Sequence, residues 1–355
     1  MSAPQYYPDY LELDKILDAQ HPVSYMEGNE PAHDEMLFII IHQAYELWFK
    51  QILFEVDSII GIMSKGSIND NSPHLQTITH RINRINTILR LLVQQMDVME
   101  TMTPMDFLDF RDLLRPASGF QSWQFKLLEA KLGLKYEQRF GKQYYTSVLK
   151  PEYTKLIKDA EASPSLLELI NTWLERFPLF NQAEKWEGFE TEHELTDEDA
   201  FIKTYRDKLK ESLAESELDN LKAFDSFIGF DNTESSSEEV NLLSPKARKA
   251  ALFIMIYRGY PMLQLPFQIL QSLLDTDNLM SSWRYRHINM VRKTIGHRVG
   301  TGGSTGKVYL KGAADAHFIF REVAQLTSFL IERKHLPKLP AKIEETLGFR
   351  PFTNA

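Results

Sequence analysis

Apolar residues recur at three- and four-residue intervals along most of the chain, the spacing that places them on one face of a helix. The stretch from Asp34 to Ile62 carries a broad apolar face, and so does Ile82 to Thr101. Similar patterns cover Leu166 to Phe177, Pro245 to Leu274, Met280 to Ile295 and Ala313 to Arg333. A further helix is expected from Thr103, whose hydroxyl suits an N-cap, with Pro104 at the first helical position and Asp106 completing a capping-box-like start. Pro116 ends it. Alternating strand-like runs with Asn-Gly or Asp-Gly turns are missing, so the expected fold is all-α, a helical bundle.

Two segments break the pattern. Residues from Glu187 to about Ser244 are rich in acids, densest at Asp231-Asn-Thr-Glu-Ser-Ser-Ser-Glu-Glu239. Such a tract buries too little apolar surface to order itself and reads as a solvated insertion or mobile loop. The first thirty residues are rich in tyrosine and proline, with one short helix candidate at Leu11 to Ala19; they read as an arm, either packed on a neighbouring subunit or loose. The helices on both sides of the acidic tract look alike and no repeat is present. One domain over residues 1–355 is expected.

Composition narrows the function. The 355 residues are 43% hydrophobic and 25% charged, ordinary for a globular protein. The net charge of −9, without a basic run, argues against nucleic acid or an anionic membrane as the main partner. With no cysteine, disulfides, thiolate zinc sites, iron–sulfur clusters and a cysteine nucleophile are excluded. Neither a signal peptide nor a bilayer-spanning apolar run is evident, so a cytoplasmic location is expected.

Three clusters carry candidate chemistry. Met280, Trp283, His287, Met290, Val291 and Thr294 share one helical stripe, which puts His287 among apolar neighbours, and the glycine-rich run Gly300-Thr301-Gly-Gly-Ser-Thr-Gly306 follows. A histidine there needs a partner: a metal or cofactor, or a hydrogen bond inside the core. Phe38 and His42 lie four apart on a very apolar helix, with the same two readings. Phe107, Arg111 and Leu114 fall on one face of the helix after Thr103. A buried guanidinium there calls for an anion, and a carboxylate matches its fork; a snorkelling side chain or an internal ion pair is the other reading. Other motifs fail. The run ending Gly306-Lys307 has Thr301 where a phosphate-binding loop needs its first glycine and Val308 where it needs Ser or Thr. His33-Asp34-Glu35 does not extend to a zinc-binding His-Glu-x-x-His, and no Gly-x-Ser-x-Gly elbow is present.

Taken in order, four blocks resemble the tryptophan 2,3-dioxygenase family, and together they span nearly the whole chain. They are Tyr7-Pro-Asp-Tyr10-Leu-Glu-Leu-Asp; His33 through His42-Gln-Ala-Tyr-Glu-Leu-Trp-Phe-Lys-Gln-Ile-Leu; Phe110-Arg111 through Pro116-Ala-Ser-Gly-Phe-Gln-Ser122; and Trp283-Arg-Tyr-Arg-His287 through Gly306. The resemblance implies a haem pocket (heme b, one per subunit, ferrous when active) with His287 as the proximal iron ligand. It implies that His42 hydrogen-bonds the substrate indole N–H without being an obligatory base, that Arg111 pairs with the substrate carboxylate, and that Thr301 closes over the polar end of the amino acid. Phe38, Phe107, Leu114 and Tyr10 would wall the indole, with Tyr7 and Tyr10 in an arm that reaches a neighbouring subunit's pocket; Ser118, Gly119 and Trp283 would lie near the haem. The implied reaction inserts both atoms of dioxygen across the indole C2–C3 bond of L-tryptophan to give N-formyl-L-kynurenine, the first step of tryptophan breakdown. The implied assembly is a homotetramer, a dimer of dimers. A related mono-oxygenase acting on a substituted indole or another aromatic amino acid is the alternative, and a haem-binding sensor a more distant one. Arg115 stands where several relatives are small, and its role is left open.

Overall fold

The computed structural model describes residues 5–66, 73–140, 147–180, 182–192, 197–230, 242–296, 298, 300 and 307–348. The acidic run 231–239 and the glycine-rich loop 301–306, with Thr301, lie outside them. The described residues are helices joined by turns, without a strand, in line with the all-α expectation. No helix among them is long and apolar enough to cross a membrane.

Two short helices open the chain, α1 (Tyr7–Leu11) and α2 (Leu13–Leu17), separated by Glu12 in the left-handed region at φ 50°. The single helix expected over Leu11 to Ala19 is therefore broken, and neither piece buries a residue. The long helices follow: α3 (Glu35–Met63), α4 (Pro73–Met99), α5 (Pro104–Arg111) and α6 (Trp123–Leu132). Then come α7 (Pro151–Ala162), α8 (Leu166–Glu175), α9 (Glu198–Ser212), α10 (Asp219–Ile228) and α11 (Pro245–Ile256). The chain continues as α12 (Pro261–Ile295), α13 (Lys307–Ala316), α14 (Arg321–Gln325) and α15 (Ala341–Leu347).

The frame is α12 lying along α4, with α3 also packed on α4 and α6 and α8 against α3. Each supplies a stripe at helical spacing. On α3, Ile41, Tyr45, Phe49, Ile52, Val56, Ile59 and Met63 are buried, and on α12 Leu263, Ile269, Leu270, Leu273 and Met280. Polar ties set the register between α4 and α12. The Asn86 amide donates to Ser272 O at 2.8 Å and its carbonyl accepts from the Thr276 hydroxyl at 2.7 Å, all three residues being buried. Three turns beyond Thr276 the same helix carries His287.

Four further expectations are corrected. The helix expected from Pro245 to Leu274 is interrupted at Tyr257–Tyr260, because Pro261 pushes the residue before it out of the helical region (Tyr260 has ψ 139°) and lacks an N–H. Downstream the helix then runs unbroken to Ile295 and absorbs the separate segment expected from Met280. The helix expected over Ala313 to Arg333 is also broken. Backbone N–H groups of Ile319 and Phe320 donate to the buried Asp277 carboxylate, at 3.1 and 2.5 Å, and make a turn between α13 and α14. Finally, the described residues of the acidic insertion include two helices. In α9 and α10, Phe201, Ile202, Tyr205, Leu209, Phe224 and Ile228 recur at helical spacing and are fully buried, with the Tyr205 hydroxyl donating to Phe329 O at 2.8 Å. Most of its acids lie outside that stripe, the buried Asp225 pairing with Arg206, so average composition understated what one face buries.

Candidate active site

A cavity of 310 Å³ opens between α3, α5, α6 and the last third of α12. On α3 the one-face series Phe38, His42, Tyr45 and Phe49 lines it; Phe107 and Arg111 enter from α5, and Met96 and Met99 from the end of α4. Ser118, Gly119, Phe120 and Ser122 come from the turn before α6, and Phe125, Lys126 and Glu129 from α6 itself. Helix α12 adds Trp283, His287, Met290, Val291, Thr294 and Ile295. Residues 250 positions apart in sequence thus face one space, and both candidate histidines line it.

The two histidines differ in chemistry. His42 Nδ1 lies 2.7 Å from Phe38 O. A carbonyl only accepts, so Nδ1 carries the proton, and Nε2 of the neutral ring is left with a lone pair. Burial lowers the His42 pKa, against the smaller opposing effects of the Phe38 carbonyl and Glu46, so the neutral form prevails near neutral pH. His42 lines the cavity and keeps solvent-exposed surface in the single chain. His287 makes no hydrogen bond among the described residues. Its ring stacks on Trp283, centroids 5.4 Å apart and planes 4° apart, which fixes its orientation. Burial, helped by the charge of His42, lowers its pKa to about 4. An ordinary core histidine is hydrogen-bonded, so that reading of His287 fails. What remains is a neutral, oriented imidazole in an apolar cavity.

The third cluster also meets here. The Thr103 capping box forms, with the Thr103 N–H donating to Asp106 at 2.8 Å, and α5 delivers Arg111 as its last residue. Arg111 is 5% exposed, and its Nη1 lies 3.8 Å from the exposed Asp112 carboxylate. Phe38, Phe107 and Phe110 form an aromatic corner, with centroids 5.4–5.7 Å apart, that Leu114 and Ile295 pack against. Leu114 thus backs the wall rather than lining the cavity. Tyr7 and Tyr10 lie apart from it, 69% and 67% exposed in the single chain.

Sequence reasoning missed the polar end. Glu129 is buried and takes Arg139 Nη1 and Arg284 Nη2, each at 2.7 Å, and His317 Nδ1 at 3.3 Å. The Phe140 N–H donates to His317 Nε2, so Nδ1 holds the proton and donates to Glu129. Burial raises the Glu129 pKa, but His317, Arg139 and Arg284 outweigh it and hold the carboxylate well below its usual range. Lys126 lines the cavity beside it and donates to Phe120 O; burial lowers its pKa to about 8. Among the described residues, Ser122 Oγ and Trp283 Nε1 are buried in the same wall without a hydrogen-bond partner of good geometry, the Tyr45 hydroxyl being close to the indole. Only the spacing of Lys126 and Glu129 along α6, three apart, hinted at this; His317 and Arg139 come from turns no local pattern connects.

Comparison with known proteins decides the family. A model of the tryptophan 2,3-dioxygenase family matches residues 1–330. The chain belongs to the tryptophan 2,3-dioxygenase family. Proteins named tryptophan 2,3-dioxygenase from Alteromonas mediterranea and Bdellovibrio bacteriovorus are 40% and 41% identical to it, each over 98% of both chains. One from Rattus norvegicus is 41% identical over 98% of this chain and 88% of its own. Tryptophan 2,3-dioxygenases are haem enzymes, and the cavity suits that group. It has one unpaired imidazole on an oriented ring, apolar walls, and orphaned donors with a lysine at the end where carboxylate side arms need partners. Among the described residues no three His, Asp or Glu gather as a bare metal ion would need, whereas porphyrin supplies the other iron ligands itself.

Proposed function

We propose that this protein binds haem b through His287 and cleaves L-tryptophan with dioxygen, inserting both oxygen atoms across the indole C2–C3 bond to yield N-formyl-L-kynurenine. One observation carries the reading: an imidazole without hydrogen bonds faces the same cavity as an unprotonated His42 Nε2 and the Arg111 guanidinium. Haem, when bound and ferrous, supplies the activation of dioxygen. The chain supplies position. His287 would hold the iron, and Lys126, Ser122 and Trp283 would meet the carboxylate arms, with Ser118 and Gly119 beside them.

On the substrate side each group has a defined task. The His42 Nε2 lone pair accepts the indole N–H, which fixes the ring in its plane; it need not remove the proton. Phe38 and Phe107, packed on each other and backed by Leu114 and Ile295, would wall one side of the indole and exclude water. Arg111 takes the carboxylate in a charge-assisted pair. Thr301, outside the described residues, would complete the polar end when its loop closes.

One domain and a homotetramer, one haem per subunit, belong to the same proposal, as does a cytoplasmic setting. Ile40, Leu47 and Phe54 recur every seven residues on the outer face of α3 at 48–70% exposure, an apolar stripe that a second copy would cover. The exposed Tyr7 and Tyr10 of the arm are suited to reach a neighbouring copy's cavity. The test is the product of haem-loaded protein with L-tryptophan and ¹⁸O₂. Two labelled oxygens in a product of N-formylkynurenine mass support the proposal; one labelled oxygen with an intact ring gives the reaction to the mono-oxygenase alternative.

A further inference from the structure

The residue whose role the sequence leaves open sits beside the substrate-binding arginine. Arg115 follows the short 3₁₀ turn Asp112–Leu114 that continues α5. Its Nη2 lies 3.3 Å from Asp112 Oδ1, and the same oxygen is 3.8 Å from Arg111 Nη1. One carboxylate therefore stands between two guanidiniums and closer to Arg115. Among the described residues no other ion pair involves Arg115. Their settings differ: Arg111 is 7% exposed at the side chain, Asp112 78% and Arg115 55%.

This arrangement poses an electrostatic problem for the site. A substrate carboxylate that pairs with Arg111 must approach a cation already flanked by a carboxylate, and two anions on one guanidinium repel each other. A second cation on Asp112 offsets that repulsion and keeps the Asp112 side chain from turning onto Arg111.

We infer that Arg115 is a positioning residue for substrate recognition: by holding the Asp112 carboxylate, it keeps that anion from competing with the substrate carboxylate at Arg111. The inference rests on the reading above that Arg111 binds that carboxylate. It acts on binding, not on oxygen chemistry, and its size is set by exposed charges, which water and salt screen. The effect on affinity is therefore small, about two- to fivefold.

The experiment uses haem-loaded full-length protein and a double-mutant cycle. Arg115→Ala is expected to raise KM for L-tryptophan about two- to fivefold with kcat retained, more at low than at high salt, and Arg115→Lys to recover most of the loss. In the Asp112→Asn background, Arg115→Ala is expected to change KM no further. The Kd of tryptamine, which has no carboxylate, is expected to stay unchanged in Arg115→Ala, a contrast that a general loosening of the turn does not produce. An unchanged KM in Arg115→Ala, or an equal rise in the Asp112→Asn background, overturns the inference. Arg111→Ala separates the two levels. If it leaves the L-tryptophan Kd intact, the carboxylate assignment itself falls; if it weakens binding while Arg115→Ala does nothing, only the role of Arg115 falls.

Discussion

Replacing Arg111 with alanine tests how the cavity recognises an amino acid. The guanidinium is 5% exposed, and the carboxylate of Asp112 lies 3.8 Å from it on a side chain 78% exposed. A carboxylate so well hydrated is a weak partner for a buried cation, and on the proposed reading the substrate carboxylate pairs with Arg111 out of water. Truncating one member of a desolvated charge pair costs about 2–5 kcal/mol. Here the lower half applies, because removing Arg111 also relieves the empty protein of a buried guanidinium. A loss of about 2–3 kcal/mol corresponds to roughly 30- to 150-fold in Kd. The assay is a titration of haem-loaded protein with L-tryptophan and with tryptamine, read by the haem absorption band. L-tryptophan binding should weaken by that factor in Arg111→Ala while tryptamine binding changes little. Equal affinities of the unmodified protein for the two ligands, or equal losses in the variant, would remove Arg111 from carboxylate recognition.

Three further outcomes follow from the same geometry. His42→Ala should lower kcat/KM only about two- to tenfold, since one hydrogen bond is worth about 0.5–1.5 kcal/mol; an unmeasurable rate with intact haem spectra would make His42 essential to the chemistry. Glu129→Ala should destabilise the fold by about 3–5 kcal/mol in urea unfolding, because Arg139 and Arg284 lose their buried partner; a loss under 1 kcal/mol would show the cluster relaxing around water. Asp277, raised to about 6 chiefly by burial, binds a proton in the folded state before it does unfolded. Its contribution to stability therefore grows as pH falls from about 6 towards 4, by at most ~3 kcal/mol, and Asp277→Asn should remove that part of the pH dependence in unfolding experiments; an identical pH profile in the variant would contradict this.

How much of this was legible in the sequence depends on the range of the interactions. Helices α3 and α8 begin and end within two residues of the expected positions, since their apolar period and caps are local. The Thr103 capping box was legible for the same reason. The turn at Ile319–Phe320 was not, because it exists to meet Asp277, 42 positions away. The break before Pro261 carried a local signal in the proline itself, and the apolar run on both sides outweighed it in the reading. In the acidic insertion, composition hid the buried stripe of Phe201, Tyr205 and Phe224. His287, His42 and Arg111 stood out singly, yet each kept a bland explanation until the fold set them around one cavity. Glu129 with its two arginines and His317 could not be seen at all, since the four groups come from separate helices and turns.

The axial role of His287 is tested most directly by His287→Gly, titrated with haem and followed by absorption spectroscopy, with and without added imidazole. The variant is expected to lose the stoichiometric haem band because, of the other two imidazoles that line the cavity, His42 lies on the opposite wall and His317 has both ring nitrogens engaged, by the Phe140 N–H and by Glu129. Free imidazole entering the space left by the ring should bring the band back. A variant that binds one haem per chain with an unaltered spectrum and no response to imidazole would contradict it.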